Sequence, residues 1–142
     1  MSYLLDTNVI AEIRKQSRVR PGINGNVKGW LTTVRATDLY LSVITIFELE
    51  RGFLLLERRD PIQASILQSW VRNEVLNAFA GRILPIDLAV AQRCATLHVP
   101  HPMEDRDALI AATALIGGMT VVTRNDSHFQ RTGVTFLNPW EA

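Results

Sequence analysis

Cysteine occurs once in the 142 residues, histidine three times, and lysine only as Lys15 and Lys28. The lone Cys94 rules out an intrachain disulfide and suits a reducing compartment. Flanked by Ala91, Ala95 and Leu97, it reads as a small buried hydrophobe rather than a nucleophile. His98, His101 and His128 are too few and too scattered for a zinc centre. No apolar run approaches the roughly 20 residues that span a bilayer. The start, Met1-Ser2-Tyr3-Leu4-Leu5-Asp6, lacks the charged and long apolar regions of a signal peptide. A soluble, cytoplasmic protein is expected. Charge of one sign is not in excess either: fifteen basic against fourteen acidic residues leave +1, which alone predicts no polyanion partner. There is no GxxxxGK[ST] phosphate loop, no HExxH helix and no serine nucleophile elbow. Internal repeats, low-complexity tracts and linkers are absent as well, so residues 1–142 read as one domain.

What the chain does have is arginine and regular alternation. Arg14, Lys15, Arg18 and Arg20 cluster after the first helix, and Arg51, Arg58 and Arg59 follow Glu48 in the chain. Arginine forks suit phosphate, although composition alone favours a solvated basic surface. Short apolar runs at Tyr3–Leu5, Leu39–Ser42, Arg82–Pro85, Met119–Thr123 and Val134–Leu137 read as strands of the buried parallel kind. Between them, helical spacing begins at Thr7 or Asn8, covers Val27 to Val34, Thr45 to Arg58 and Pro61 to Phe79, and returns from Ala89 to Leu97. A last helix starts at Asp105 and stops at Gly117-Gly118. The alternation predicts an α/β fold, an open parallel β-sheet flanked by helices on both faces.

Carboxylates stand where strands stop and helices begin. Asp6 follows Tyr3-Leu4-Leu5, Glu48 comes shortly after Leu39–Ser42, and Asp107 opens Ala108-Leu109-Ile110-Ala111-Ala112. Ligands of open α/β sheets bind outside the carboxyl ends of the strands, so acids distant in sequence can meet there. Two carboxylates about 5 Å apart repel by roughly 3 kcal/mol at an effective dielectric near 20. A hard divalent cation offsets this, which points to a metal-dependent hydrolase. On this reading, replacing one acid relieves repulsion and does not destabilise the metal-free protein.

Each acid also has a purely structural reading. Asp6 can cap the first helix, although Thr7 and Asn8 are the better-placed caps. Thr45-x-x-Glu48 matches a capping box. Asp105 and Asp107 lie where a helix dipole favours negative charge, with Asp105 the expected cap and Asp107 left to face the strand ends. Asp87, after Leu84-Pro85-Ile86, is expected to cap the helix that follows it, and Pro85 marks an edge strand.

Four segments in order resemble PIN-domain proteins of the VapC/FitB toxin family. They are Leu4-Leu5-Asp6-Thr7-Asn8-Val9-Ile10, Ser42-Val43-Ile44-Thr45-Ile46-Phe47-Glu48-Leu49, Asp107-Ala108-Leu109-Ile110-Ala111-Ala112-Thr113-Ala114 and Val122-Thr123-Arg124-Asn125. Ala80-Gly81-Arg82-Ile83-Leu84-Pro85 and the tail Leu137-Asn138-Pro139-Trp140 add to the likeness. The resemblance covers essentially the whole chain. It implies a Mg²⁺- or Mn²⁺-dependent endoribonuclease, the toxin of a type II toxin–antitoxin pair. It carries the metal-ligand role to Asp6, Asp107 and Glu48. The family's fourth acid falls on Asn125, with Asp126 next door as a substitute. Thr7, Asn8 and Thr123 are expected to support the ligands, and Arg14, Arg51 and Arg124 to face the RNA backbone.

The helices from Thr45 to Phe79 carry Phe53, Leu54, Leu56, Ile62, Ile66, Trp70 and Val71, more apolar surface than a small sheet needs. A groove around Trp70 for an amphipathic antitoxin segment is expected, as is a two-fold homodimer. An antitoxin arginine entering the pocket of Asp6, Glu48 and Asp107 would compete with the metal. Two alternatives remain. One is a haloacid-type aspartate phosphohydrolase, which wants an aspartate where Asn8 stands. The other is a catalytically inactive scaffold whose acids bind a partner.

Overall fold

The computed structural model describes residues 1–17 and 22–142. Five parallel strands form the sheet in the order β3-β2-β1-β4-β5: β1 (Tyr3–Leu5), β2 (Leu39–Ser42), β3 (Ile83–Leu84), β4 (Thr120–Val122) and β5 (Phe136–Leu137). All lie within the five predicted runs, and β3, with Pro85 beyond it, is an edge. β1 is central, with Leu4 opposite Tyr40 on one side and Val121 on the other. The chain winds outward from β1 to β3 and then returns to β4, so the strand order switches between β1 and β4. That is where such sheets place their ligands.

Alternation along the strands divides the interior. Leu5, Leu39, Leu41 and Val122 face a core built with α1 (Thr7–Arg14), α2 (Gly25–Leu31), α3 (Val43–Glu57) and the helices after it. Leu4 and Val121 face the other side, against α7 (Asp105–Gly117), where Ile110, Ala111 and Ala114 are fully buried. The small residues of α7 also let it lie against α6 (Leu88–Leu97), with Ala108 and Ala112 beside Val90 and Cys94. Burial pushes the Cys94 thiol pKa up, with Asp105 adding to the effect. This holds the sulfur in the unreactive thiol form. Among the described residues no helix is long and apolar enough to cross a membrane.

The expected helix from Pro61 to Phe79 is present but interrupted. α4 (Pro61–Ser69) passes into a π-helical stretch, Trp70–Val75, and then a last turn, α5 (Leu76–Ala78). Val71 and Val75 are buried within this stretch, while Trp70 is only partly covered. Phe53 of α3 is 2% exposed and packs in the same core. Two of the residues expected on an outer face, Phe53 and Val71, are therefore core residues. Leu54, Ile62 and Ile66 do remain exposed. Phe53→Ala is expected to cost about 3–4 kcal/mol, read as a lowered urea midpoint with an unchanged slope.

Candidate active site

Local geometry delivers each acid to the switch point. The backbone N–H of Asp6 donates to Val122 O at 2.9 Å, extending the β1–β4 ladder by one residue. Its carboxylate Oδ1 then accepts from Thr7 N at 2.8 Å, so Asp6 is itself the cap of α1, in place of Thr7 or Asn8. Ser42 caps α3 by accepting from Ile44 N at 3.0 Å. The capping box at Thr45 is therefore not formed, and Glu48 is left free to turn inward one turn later. At α7 the cap position falls to Glu104 rather than Asp105, and without a side-chain bond. Asp105 is solvent-facing and lies 3.4 Å from His98 Nε2, whereas Asp107 is buried. Asp87 caps α6 through Val90 N at 2.9 Å, as expected.

The three acids meet around an arginine of the same chain. Arg106 Nε donates to Glu48 Oε2 at 2.7 Å and Nη1 to Asp107 Oδ1 at 2.5 Å, while Nη2 donates to Asp6 Oδ1. Burial alone would pull the guanidinium pKa down. The Asp6 charge, hydrogen bonds to Asp6 and Glu48 and the Glu48 charge together outweigh burial and drive it up. The remaining carboxylate oxygens are also held. Thr123 Oγ1 donates to Asp6 Oδ2 at 2.8 Å, with Asn8 Nδ2 at 3.4 Å from the same oxygen. Thr7 Oγ1 lies 2.5 Å from Glu48 Oε1, and His128 Nδ1 lies 2.9 Å from Asp107 Oδ2. Asp6, Glu48, Asp107, Thr7, Asn8 and Thr123 thus come together as the sequence suggested.

Other expected residues lie around this centre or elsewhere. Asp126 Oδ1 accepts from Asn138 Nδ2 at 2.9 Å, tying it to the chain after β5. Asn125 is exposed, and its backbone N–H donates to Thr123 Oγ1 at 3.0 Å. The Arg124 N–H donates to Asn8 Oδ1 at 3.3 Å, and its guanidinium lies 5.2 Å from the Trp140 ring centre. Arg51 lies over Phe47 and Arg14 over Trp70. Arg18 and Arg20 lie outside the described residues.

Sequence reasoning missed Arg106 and His128. Arg106 carried one signal: a cation in the first turn of a helix opposes the dipole and so needs a compensating partner elsewhere. His128 carried none, since only the fold brings it to Asp107.

A family model described as PIN domain matches residues 3–134. This chain belongs to the PIN-domain family. A protein of Neisseria gonorrhoeae described as Toxin FitB is 39% identical, with 96% of this chain and 97% of the relative aligned. One from Sinorhizobium fredii, described as VapC ribonuclease Y4jK, is 36% identical over 97% of each. The crystal structure of FitAcB from Neisseria gonorrhoeae superposes with a TM-score of 0.86 at 36% identity, covering 99% of both chains. For a PIN domain, a haloacid-type phosphohydrolase is no longer the competing reading.

The three acids offer only hard oxygen donors, and they already surround one positive group, which is the chemistry a Mg²⁺ or Mn²⁺ ion requires. As they stand, no three such side chains among the described residues are close enough to one another to hold a metal directly. The expected cage is instead spread around a guanidinium.

Proposed function

We propose that this PIN domain is a Mg²⁺- or Mn²⁺-dependent endoribonuclease, acting in the cytoplasm as the toxin of a type II toxin–antitoxin pair. The observation that carries the reading is the convergence of Asp6, Glu48 and Asp107 on one cation at the sheet's switch point. Relatives described as a VapC ribonuclease and as Toxin FitB support the same reading. Asp6, Asp107 and Glu48 would hold the metal, which when bound polarises a phosphoryl oxygen and favours attack by water.

The chain supplies the rest. Thr123 and Asn8 hold Asp6 in one orientation, and Thr7 does the same for Glu48, as the outer partners of metal ligands do. Glu48 is the least buried of the three acids, so it is best placed to orient the attacking water or accept its proton. Arg124, exposed beside Asn8, would meet the RNA backbone.

The groove expected around Trp70 is present. The groove at Trp70 lies between α1 and the π-helical stretch, a cleft of about 220 Å³ lined by Ile10, Ile13, Trp70, Val75, Ala78 and Phe79 among others. It suits an amphipathic antitoxin segment. The exposed Leu54, Leu55, Ile62 and Ile66 support self-association through another face.

The deciding experiment incubates the purified protein with structured RNAs in Mg²⁺ or in EDTA. Internal cleavage that EDTA stops is expected, with 5′-phosphate and 3′-hydroxyl ends. An absence of cleavage with every RNA would favour the inactive scaffold. Within the active protein, Glu48→Ala is expected to slow single-turnover cleavage by at least 10-fold more than Asp126→Ala, about 1.4 kcal/mol in barrier. The reason is that Asp126 points to Asn138 and not to the acids. The reverse order would move Asp126 into the metal site.

A further inference from the structure

We infer that Arg106 is a built-in competitor for the divalent cation, pairing with all three acids until the metal displaces it. The inference rests on the metal-dependent reading above and adds to it a residue that opposes metal binding. Each arm of the guanidinium takes one oxygen from a different acid. The other oxygens are fixed by Thr7, Thr123, Asn8 and His128. The carboxylates are thereby held around one cation that belongs to the chain, and they must draw together to hold a metal ion once it leaves.

Local preference does not put Arg106 there, since the first turn of α7 repels positive charge. The acids hold it. Nor can it leave by losing a proton, because guanidinium stays charged throughout the working pH range. Only a stronger cation can take its place. A departing side chain has somewhere to go. A cavity of about 280 Å³ adjoins Asp107 and is lined by Met103, Glu104, Ser127, His128 and Arg131. Glu104 offers a carboxylate there in exchange for those lost. The consequence is a site that stays closed at low metal and binds Mn²⁺ more weakly than three carboxylates alone would.

The test uses Mn²⁺ alone, titrated calorimetrically into the parent, Arg106→Met and Asp6→Asn. Arg106→Met, which keeps an unbranched stem but neither the guanidinium nor its charge, is expected to bind Mn²⁺ at least 10-fold more tightly than the parent. Equal or weaker binding overturns the competitor. Asp6→Asn separates the two ideas. Asp6-dependent binding that ignores Arg106→Met sinks the competitor alone, whereas binding that never depends on Asp6 sinks the metal reading and the competitor together. A measurement on the parent needs no variant to fold. The ¹⁵Nε–H signal of Arg106, protected by Glu48, is expected to lose that protection along the Mg²⁺ binding curve. Its persistence at saturating Mg²⁺ would also overturn the competitor.

Discussion

Asp6→Asn and Asp107→Asn are each expected to lower RNA cleavage by more than about 100-fold and, without metal, to lower thermal stability as well. Changing an outer partner of a metal ligand costs roughly 10–100-fold, so loss of a ligand charge should cost more. The stability effect has the opposite sign to the one that three clustered acids suggest. With Arg106 between them, the carboxylates do not simply repel. Each stabilises a largely buried guanidinium whose own side chain is 22% exposed. An amide at position 6 or 107 keeps the shape but leaves that charge with one carboxylate fewer. A hydrogen bond to a charged group contributes about 2 kcal/mol, which in a domain of this size corresponds to a fall of roughly 8 °C in Tm. Melting in EDTA reads this, and cleavage at the parental Mg²⁺ concentration reads the first effect. A rise in Tm would mean that repulsion outweighs pairing. Undiminished cleavage by either variant would remove that residue from the site.

The contrast shows which parts of the molecule were legible in the sequence. The sheet was, because strands covered on both faces are written as short apolar runs, and Tyr3–Leu5 and the Val121-Val122 pair of β4 are of that kind. The acids were, because a charge flush against such a run needs a reason. Whether Asp6 was a cap or a site residue was the wrong choice to pose. Its Oδ1 accepts from both Thr7 N and Arg106, so one carboxylate fills both roles. Glu48 was ambiguous only while the start of α3 was uncertain. Once Ser42 caps the helix, Glu48 has no backbone partner to seek. Arg106 could not be placed by spacing, since its three partners lie on β1's end, on α3 and on its own helix. Val71 was misjudged for a different reason: it lies seven residues after the buried Ala64, on the same face of the helix, so helical phase already turns it inward, and counting it as surplus apolar surface overlooked that phase.

The groove at Trp70 carries the second large effect. In the groove beside α1, Trp70 is half-buried and lies under the Arg14 guanidinium, 5.4 Å from its ring centre. Such an aromatic, amphipathic and already held in place, is the kind of residue that dominates an interface. Trp70→Glu is expected to weaken binding of the cognate antitoxin by about 2–4 kcal/mol, or roughly 30- to 1000-fold. Because Trp70 also packs against the core around Phe53, part of its effect comes through the fold. Ala78→Arg separates the two contributions. Ala78 is exposed on the same groove, so a long side chain there fills the cleft without opening a cavity. Both variants are expected to lose antitoxin affinity in equilibrium titrations. Ala78→Arg alone should keep the parental Tm and Mn²⁺ affinity. If Ala78→Arg binds the antitoxin as tightly as the parent does, the segment docks elsewhere, and the exposed face of Leu54, Leu55, Ile62 and Ile66 becomes the next place to block.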